Sequence, residues 1–136
     1  MKLTINGRFL TQSVTGVQRY ARELCATLDE ALPELTERTG LSAELLCPPL
    51  ATATDVPSYD HLAVREVGSG GGHRWEQGVL PRHLDGSDVL FCPGNTAPLL
   101  TLARSRPAVV VTVHDLAFRD FPETVSRPFR LAYEVL

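Results

Sequence analysis

Short apolar runs alternate with amphipathic helical segments along this chain, and this order constrains the fold most. Met1–Ile5 predicts a first strand, and from Val17 to Leu28 apolar side chains recur with the i, i+3, i+4, i+7 spacing of a helix. Pro33 predicts either the end of this helix or the start of a short loop after it, because proline lacks a backbone N–H. Further predicted elements are the strands Ala43–Cys47, His61–Val67, Val89–Cys92 and Ala108–Val113 and the helix Trp75–Leu84.

Strands that alternate with helices predict an α/β fold with a doubly wound parallel sheet. The last two predicted strands, Val89–Cys92 and Ala108–Val113, are continuous apolar runs apart from Thr112. We therefore expect both of them to be buried on both faces of the sheet.

Composition limits the class of protein. The chain has 136 residues, of which 43% are apolar and 21% charged, as is usual for one globular domain. A net charge of −3 and the lack of a Lys or Arg run argue against a nucleic-acid binder.

Cys25, Cys47 and Cys92 stand in apolar segments without a CxxC motif, which predicts reduced core residues. The sequence contains neither a leader-like N-terminus nor a membrane-length apolar run. We therefore expect a cytoplasmic protein, and a peripheral membrane contact stays open.

The C-terminal segment predicts a helix without a stop signal. Ser126 has the character of an N-cap, and one apolar helical face follows it, formed by Phe129, Ala132, Tyr133 and Leu136. No glycine and no polar tail come after this face. We therefore expect residues 1–136 to form a single domain that is truncated from a longer protein.

Polar residues follow several predicted strands, and ligands of such sheets bind beyond the carboxyl ends of the strands. Those ends carry Asn6-Gly7-Arg8, Pro93-Gly94-Asn95-Thr96 and His114-Asp115. A histidine at this place can contact a sugar hydroxyl or act as a base, or it can be structural and bond to a neighbouring loop. Asp115 is a candidate contact as well, or it braces the turn that follows.

The start of the first helix is a candidate anion site. Thr15 and Gln18 have the spacing of a capping box, and Gly16 lies between them at the predicted helix start. Backbone N–H groups and the positive end of the helix dipole meet there, which favours a phosphate.

Several familiar motifs are missing from the chain. The glycine run Gly68–Gly72 lacks the Gly-Lys-Ser/Thr ending of a phosphate-binding P-loop and predicts a surface loop. Neither GxGxxG nor GxSxG occurs, so a dinucleotide site and a hydrolase nucleophile have no direct support. The histidines lack ligand-like spacing, and the sequence predicts no metal and no cofactor.

Three segments, in their order and spacing, resemble the N-terminal domain of retaining GT-B glycosyltransferases of the group 1 type (family 4). They are Asn6-Gly7-Arg8 through Thr15-Gly16-Val17-Gln18-Arg19-Tyr20, Trp75-Glu76-Gln77 with Leu80-Pro81, and Asp88–Pro98 leading to Val111-Thr112-Val113-His114-Asp115-Leu116. The resemblance implies a Rossmann-like, three-layer α/β/α domain that receives a glycan or lipid-linked acceptor. A second domain, which this sequence lacks, would hold the nucleotide-sugar. The family also implies polysaccharide biosynthesis as the pathway.

The resemblance further implies roles for single residues. Gly16, with Thr15, would contact the donor diphosphate, because a Cβ at Gly16 would hold the phosphate away. His114 would lie near the transferred sugar as the catalytic residue. The candidate acceptor or donor contacts are Gln18, Arg19, Asn95, Thr96 and Asp115, and Arg19 is alternatively a solvated helix residue.

The family transfers its sugar with retention, usually without a metal. The acceptor hydroxyl would attack from the face that the diphosphate leaves, so that leaving-group stabilisation matters more than a nucleophile. Two alternatives remain open at this point. In the first alternative, the chain would be a stand-alone, non-catalytic module that binds a glycan or a protein. In the second, it would be a flavodoxin-like or response-regulator-like domain. The missing acidic cluster after the first strand argues against a response regulator.

Overall fold

A computed structural model gives the fold and describes residues 1–51, 53, 55–102 and 104–115. Within these residues, one sheet with the order β3-β2-β1-β4-β5 has all neighbouring strands parallel. The strands are β1 (Lys2–Asn6), β2 (Ser42–Cys47), β3 (Ala63–Glu66), β4 (Val89–Cys92) and β5 (Ala108–Val111). The predicted α/β class with a parallel sheet is therefore confirmed. The predicted C-terminal helix from Ser126 lies outside the described residues.

Helices pack on both faces of the sheet. They are α1 (Gly16–Thr39), α2 (Gly72–Gly78) and α3 (Leu99–Leu102), with 3₁₀ turns at Gly7–Thr11 and Leu80–His83. Leu45 and Leu46 are adjacent on β2 and point to opposite faces, as neighbours on a strand do. Leu45 packs in one core with α1 residues such as Cys25, and Leu46 packs in a second core with Trp75 of α2. The domain therefore has three layers, α/β/α.

The prediction that Pro33 ends the first helix was wrong. α1 continues through Pro33 to Thr39 and ends at Gly40, which adopts the left-handed conformation with φ 67°. Pro33 is exposed, so its ring lies on the solvent side of the helix. Leu32 before it is buried, and Leu35 after it packs against the same core. Burial of this apolar stripe outweighs the hydrogen bond that proline cannot make.

Two further expectations differ from the structure. The predicted helix Trp75–Leu84 is divided, because Pro81 cannot continue the α-helical ladder and a 3₁₀ turn replaces it. The last strand, β5, is not buried on both faces. Val109 and Val111 pack against the second core, whereas Val110 is 51% exposed. β5 stands at one end of the described sheet, where it has a strand neighbour on one side only.

The link from β2 to β3 is held by a side chain of α1. The backbone N–H groups of Asp60, His61 and Leu62 all donate to the carboxylate of Asp29, at 2.9, 2.7 and 2.5 Å. We call these contacts the Asp29 clamp. Burial acts to raise the pKa of Asp29, but the three N–H donors outweigh it and hold the pKa below its ordinary value.

The strand order creates a crevice at one edge of the sheet. From β1 the chain proceeds outward to β2 and β3 on one side, and then crosses to β4 and β5 on the other. The connections after β1 and after β4 therefore diverge at their carboxyl ends. Such a topological switch point is where doubly wound sheets bind their ligands.

Candidate functional site

A cleft of about 280 Å³ opens at this switch point. Its walls come from the carboxyl ends of β1 and β4, the N-terminal part of α1, and His73 and Glu76 of α2. Its polar lining consists of Asn6, Arg8, Gln12, Gln18, His73, Glu76 and Asn95.

A fully buried carboxylate lies at the base of the cleft. Glu76 on α2 is 0% exposed, and its Oε1 accepts a hydrogen bond of 2.7 Å from Asn6 Nδ2 at the end of β1. Its Oε2 accepts one of 2.8 Å from Thr96 Oγ1, in the loop after β4. Asn6 Oδ1 accepts the backbone N–H of Arg8 at 3.2 Å, which directs the amide nitrogen of Asn6 toward Glu76. Two strand ends and one helix therefore meet at a single carboxylate.

Arg8 contacts Glu76, Thr96 and His73. Its Nε lies 3.5 Å from Glu76 Oε1, and its Nη2 donates to Thr96 Oγ1 at 3.0 Å. Its Nη1 lies 3.3 Å from His73 Nε2. Because a guanidinium can only donate, His73 Nε2 is the acceptor and Nδ1 carries the proton that bonds Glu76 Oε2 at 3.2 Å. We call Asn6, Arg8, His73, Glu76 and Thr96 the Glu76 network.

The first turn of α1 forms the rim of the cleft. Gln18 Oε1 accepts both the backbone N–H of Thr15, at 3.1 Å, and the Thr15 hydroxyl. This contact confirms the capping box. Gln18 Nε2 donates to Gln12 Oε1 at 3.1 Å, which fixes both amides at the cleft. Gly16 is exposed, and a Cβ built there meets no atom within 4 Å. Packing within the described chain therefore does not require a glycine at this position.

His114 is held by the loop after β4. Its backbone N–H donates to Asn95 Oδ1 at 2.8 Å, and its Nε2 lies 2.7 Å from the carbonyl oxygen of Pro93. Because a carbonyl only accepts, Nε2 carries the proton and Nδ1 of the neutral ring is an acceptor. The Tyr20 ring and the imidazole make a T-shaped contact, with 4.9 Å between centroids and planes at 83°. His114 thus has the loop contact that the sequence left open as a structural alternative.

The structure brings only some of the predicted site residues to the cleft. Gln18 and Asn95 line it, and Thr96 is buried beneath it with 1% exposure. Arg19 is exposed on α1 outside the lining. The other predicted contacts also lie outside the lining and are Thr15, Gly16, His114 and Asp115.

The charged centre of the site was not singled out from the sequence. Asn6-Gly7-Arg8 and Trp75-Glu76-Gln77 carry the resemblance, but Arg8 and Glu76 are not among the predicted site residues. A usable signal was present in the spacing of His73 and Glu76, which lie three residues apart and therefore on one face of a helix.

Cys92 lies beneath the cleft and is inert there. Its Sγ is 3.7 Å from Asn6 Nδ2, and burial raises the pKa of the thiol to about 12. The thiol therefore stays neutral at physiological pH.

In the part of the chain that the structure describes, no helix is long and apolar enough to cross a membrane. Comparison of the chain with protein-family models, with curated proteins and with solved structures gave no match.

Proposed function

We propose that this chain is the acceptor-binding N-terminal domain of a retaining glycosyltransferase, which moves a sugar from a nucleotide-sugar to a glycan or lipid-linked acceptor. The observation that carries the proposal is the polar cleft at the topological switch point, with the N-terminus of α1 at its rim. A second Rossmann-like domain, facing this cleft, would hold the nucleotide-sugar.

The lining of the cleft supports a ligand rich in hydroxyl groups. Each hydroxyl both donates and accepts hydrogen bonds, and the cleft offers planar amides and a guanidinium as directional partners. Gln12, Gln18 and Asn95 are each held by a hydrogen bond within the chain, at 3.1 Å or less. Because these bonds hold the amides in place, the amides favour one orientation of a bound sugar.

The rim supports contact with the donor diphosphate. α1 is 24 residues long, and its first residue is the exposed Gly16. The open space around Gly16 lets a phosphate approach the backbone N–H groups and the positive end of the helix dipole. These groups would stabilise the negative charge that develops on the leaving diphosphate.

In this proposal His114 positions the transferred sugar. Nε2 is bound to Pro93, so Nδ1 of the neutral ring would accept a hydrogen bond from a sugar hydroxyl. The acceptor hydroxyl would lose its proton to the departing diphosphate oxygen, so that no protein nucleophile is needed.

Substitution of Gly16 tests the proposal. We expect Gly16→Val to lower sugar transfer by the complete gene product on the order of 100-fold, because the valine side chain fills the phosphate position. Folding should be preserved, because Gly16 is exposed and an added Cβ meets no protein atom within 4 Å. The assay follows nucleotide release from UDP-glucose, GDP-mannose and related donors.

The matched control is Glu34→Gln on the same helix, where Glu34 forms an exposed ion pair with Arg38 at 2.8 Å. This variant should transfer at the wild-type rate. Undiminished transfer by Gly16→Val would refute the phosphate contact. Saccharide binding without any transfer activity would favour the non-catalytic glycan-binding module instead.

A further inference from the structure

The charges inside the cleft cancel. Among its lining residues the ionisable side chains are Arg8, Glu76 and His73. The carboxylate of Glu76 is 0% exposed and the Arg8 side chain is 11% exposed, so both charges are largely removed from water. A buried charge requires a partner, and here the two charges partner each other.

His73 adds no charge in this arrangement. Its Nε2 accepts from Arg8 and its Nδ1 donates to Glu76, which is possible only for the neutral ring. The Glu76 network therefore carries one positive and one negative charge. An anion that enters the cleft meets Arg8 together with the carboxylate that neutralises it, and gains little net attraction.

Arg8 nevertheless keeps donors for a ligand. A guanidinium has five N–H groups. The Nε group faces Glu76, one group on Nη1 bonds His73 and one on Nη2 bonds Thr96. The other two, one on each terminal nitrogen, have no protein partner among the described residues. These two N–H donors are held in place, and Glu76 compensates the positive charge of Arg8. They are therefore suited to the oxygens of neutral hydroxyl groups.

We propose that this cleft selects an uncharged sugar over a phosphorylated or carboxylated one, and that Glu76 is the residue that sets this selectivity. Glu76 acts through Arg8, so it is a positioning residue: it neutralises the guanidinium and fixes its orientation. This inference rests on the proposed acceptor-binding role of the cleft and adds the chemical class of the acceptor group.

Ligand titration by NMR of the ¹⁵N-labelled complete protein tests the inference. The probes are methyl α-glucoside and methyl α-mannoside as neutral sugars, and glucose 6-phosphate and inorganic phosphate as anions. We expect the neutral sugars to shift the side-chain amide signals of Gln18 and Asn95, and the anions to bind the cleft more weakly than the neutral sugars do.

The decisive variant is Glu76→Gln, which keeps the shape of the side chain but leaves the positive charge of Arg8 uncompensated. We expect it to bind glucose 6-phosphate and phosphate at least about tenfold more tightly than wild type, with a gain that salt weakens. Neutral sugars should bind more weakly, because Arg8 loses its fixed orientation. Unchanged anion affinity in a folded Glu76→Gln protein would overturn the proposal.

A double variant shows whether a change in anion affinity comes from the cleft charge or from damage to the fold. Adding Arg8→Gln to Glu76→Gln restores a neutral cleft, so anion affinity should return to the wild-type value. A gain that persists in the double variant would show that the cleft charge is not its cause. Replacement of both partners of a buried pair is also better tolerated than replacement of one.

The wild-type titrations decide the question should the single variant not fold, and they separate the two proposals. Glucose 6-phosphate binding at least as tightly as the neutral sugars would overturn the selectivity but leave the acceptor-binding role standing. No shift of the cleft amides with any saccharide would count against the acceptor-binding role itself, and the selectivity would fall with it.

Discussion

At the residue scale, Gly7 is where the fold has no room for a side chain. A Cβ there would lie 2.7 Å from the carbonyl oxygen of Leu46 and 3.0 Å from Cys47 Cβ, and would overlap the Leu45 side chain. We expect Gly7→Ala to destabilise the protein by about 1–3 kcal/mol, because the turn that carries Arg8 must move off β2. Urea unfolding monitored by circular dichroism measures this change.

The control for Gly7 is Gly78→Ala at the end of α2, where an added Cβ meets nothing within 4 Å. This variant should be neutral, or stabilising by up to about 1 kcal/mol, because alanine is the better helix former. Wild-type stability of Gly7→Ala would contradict the close packing described for this turn.

Local spacing explains which site residues the sequence could predict. The contact between Thr15 and Gln18 spans three residues, so the capping box was recognisable from the chain itself. Two partners of Glu76 are distant in sequence: Asn6 is 70 residues away and Thr96 is 20 residues away. Only the strand order brings these side chains together, and periodicity does not encode such long-range contacts.

At the element scale, the Asp29 clamp holds the β2–β3 link against α1. Because the folded-state pKa of Asp29 is depressed, its carboxylate stabilises the fold above the unfolded pKa of about 4. That contribution is lost as the pH falls through the folded-state pKa. We expect Asp29→Asn to lower the Tm at pH 7, and the difference from wild type to shrink toward pH 3. Calorimetry between pH 3 and 8 measures both effects.

Asp85→Asn is the matched control, since Asp85 is exposed and has no hydrogen bond or ion pair among the described residues. It should follow the wild-type Tm at each pH. A difference between wild type and Asp29→Asn that stays constant over this pH range would show that the clamp does not depend on ionisation.

The positions of β4 and β5 were predictable because each of these strands is a compact apolar run. The length of α1 was not, because Pro33 is a stronger local signal than the stripe of Leu28, Leu32 and Leu35 that crosses it. The left-handed Gly40 is the true stop, and it was visible in the sequence only as one glycine among ten.

At the scale of the whole molecule, the two cores hold all three cysteines. Burial raises the pKa of Cys25 and Cys92 to about 12 and that of Cys47 to about 11. We expect each thiol in the native protein to react with a disulfide reagent at pH 8 at least about 100-fold more slowly than in guanidinium chloride. Timed mass spectrometry follows the three sites separately.

An added cysteine in the exposed glycine-rich loop, Ser69→Cys, supplies the positive control and should react at once. Rapid labelling of a native cysteine in the folded wild-type protein would show that one core opens independently of the other.

The closed Glu76 network has a consequence for how the cleft recognises a ligand. Its five side chains have already given up their rotamer freedom during folding, because each one is bound to another member. Immobilising such a side chain at the moment of binding costs about 0.5–1.5 kcal/mol, and this cleft avoids most of that cost. Recognition by these five side chains is therefore preorganised, and a ligand whose hydrogen-bonding groups do not match their fixed positions gains little from them.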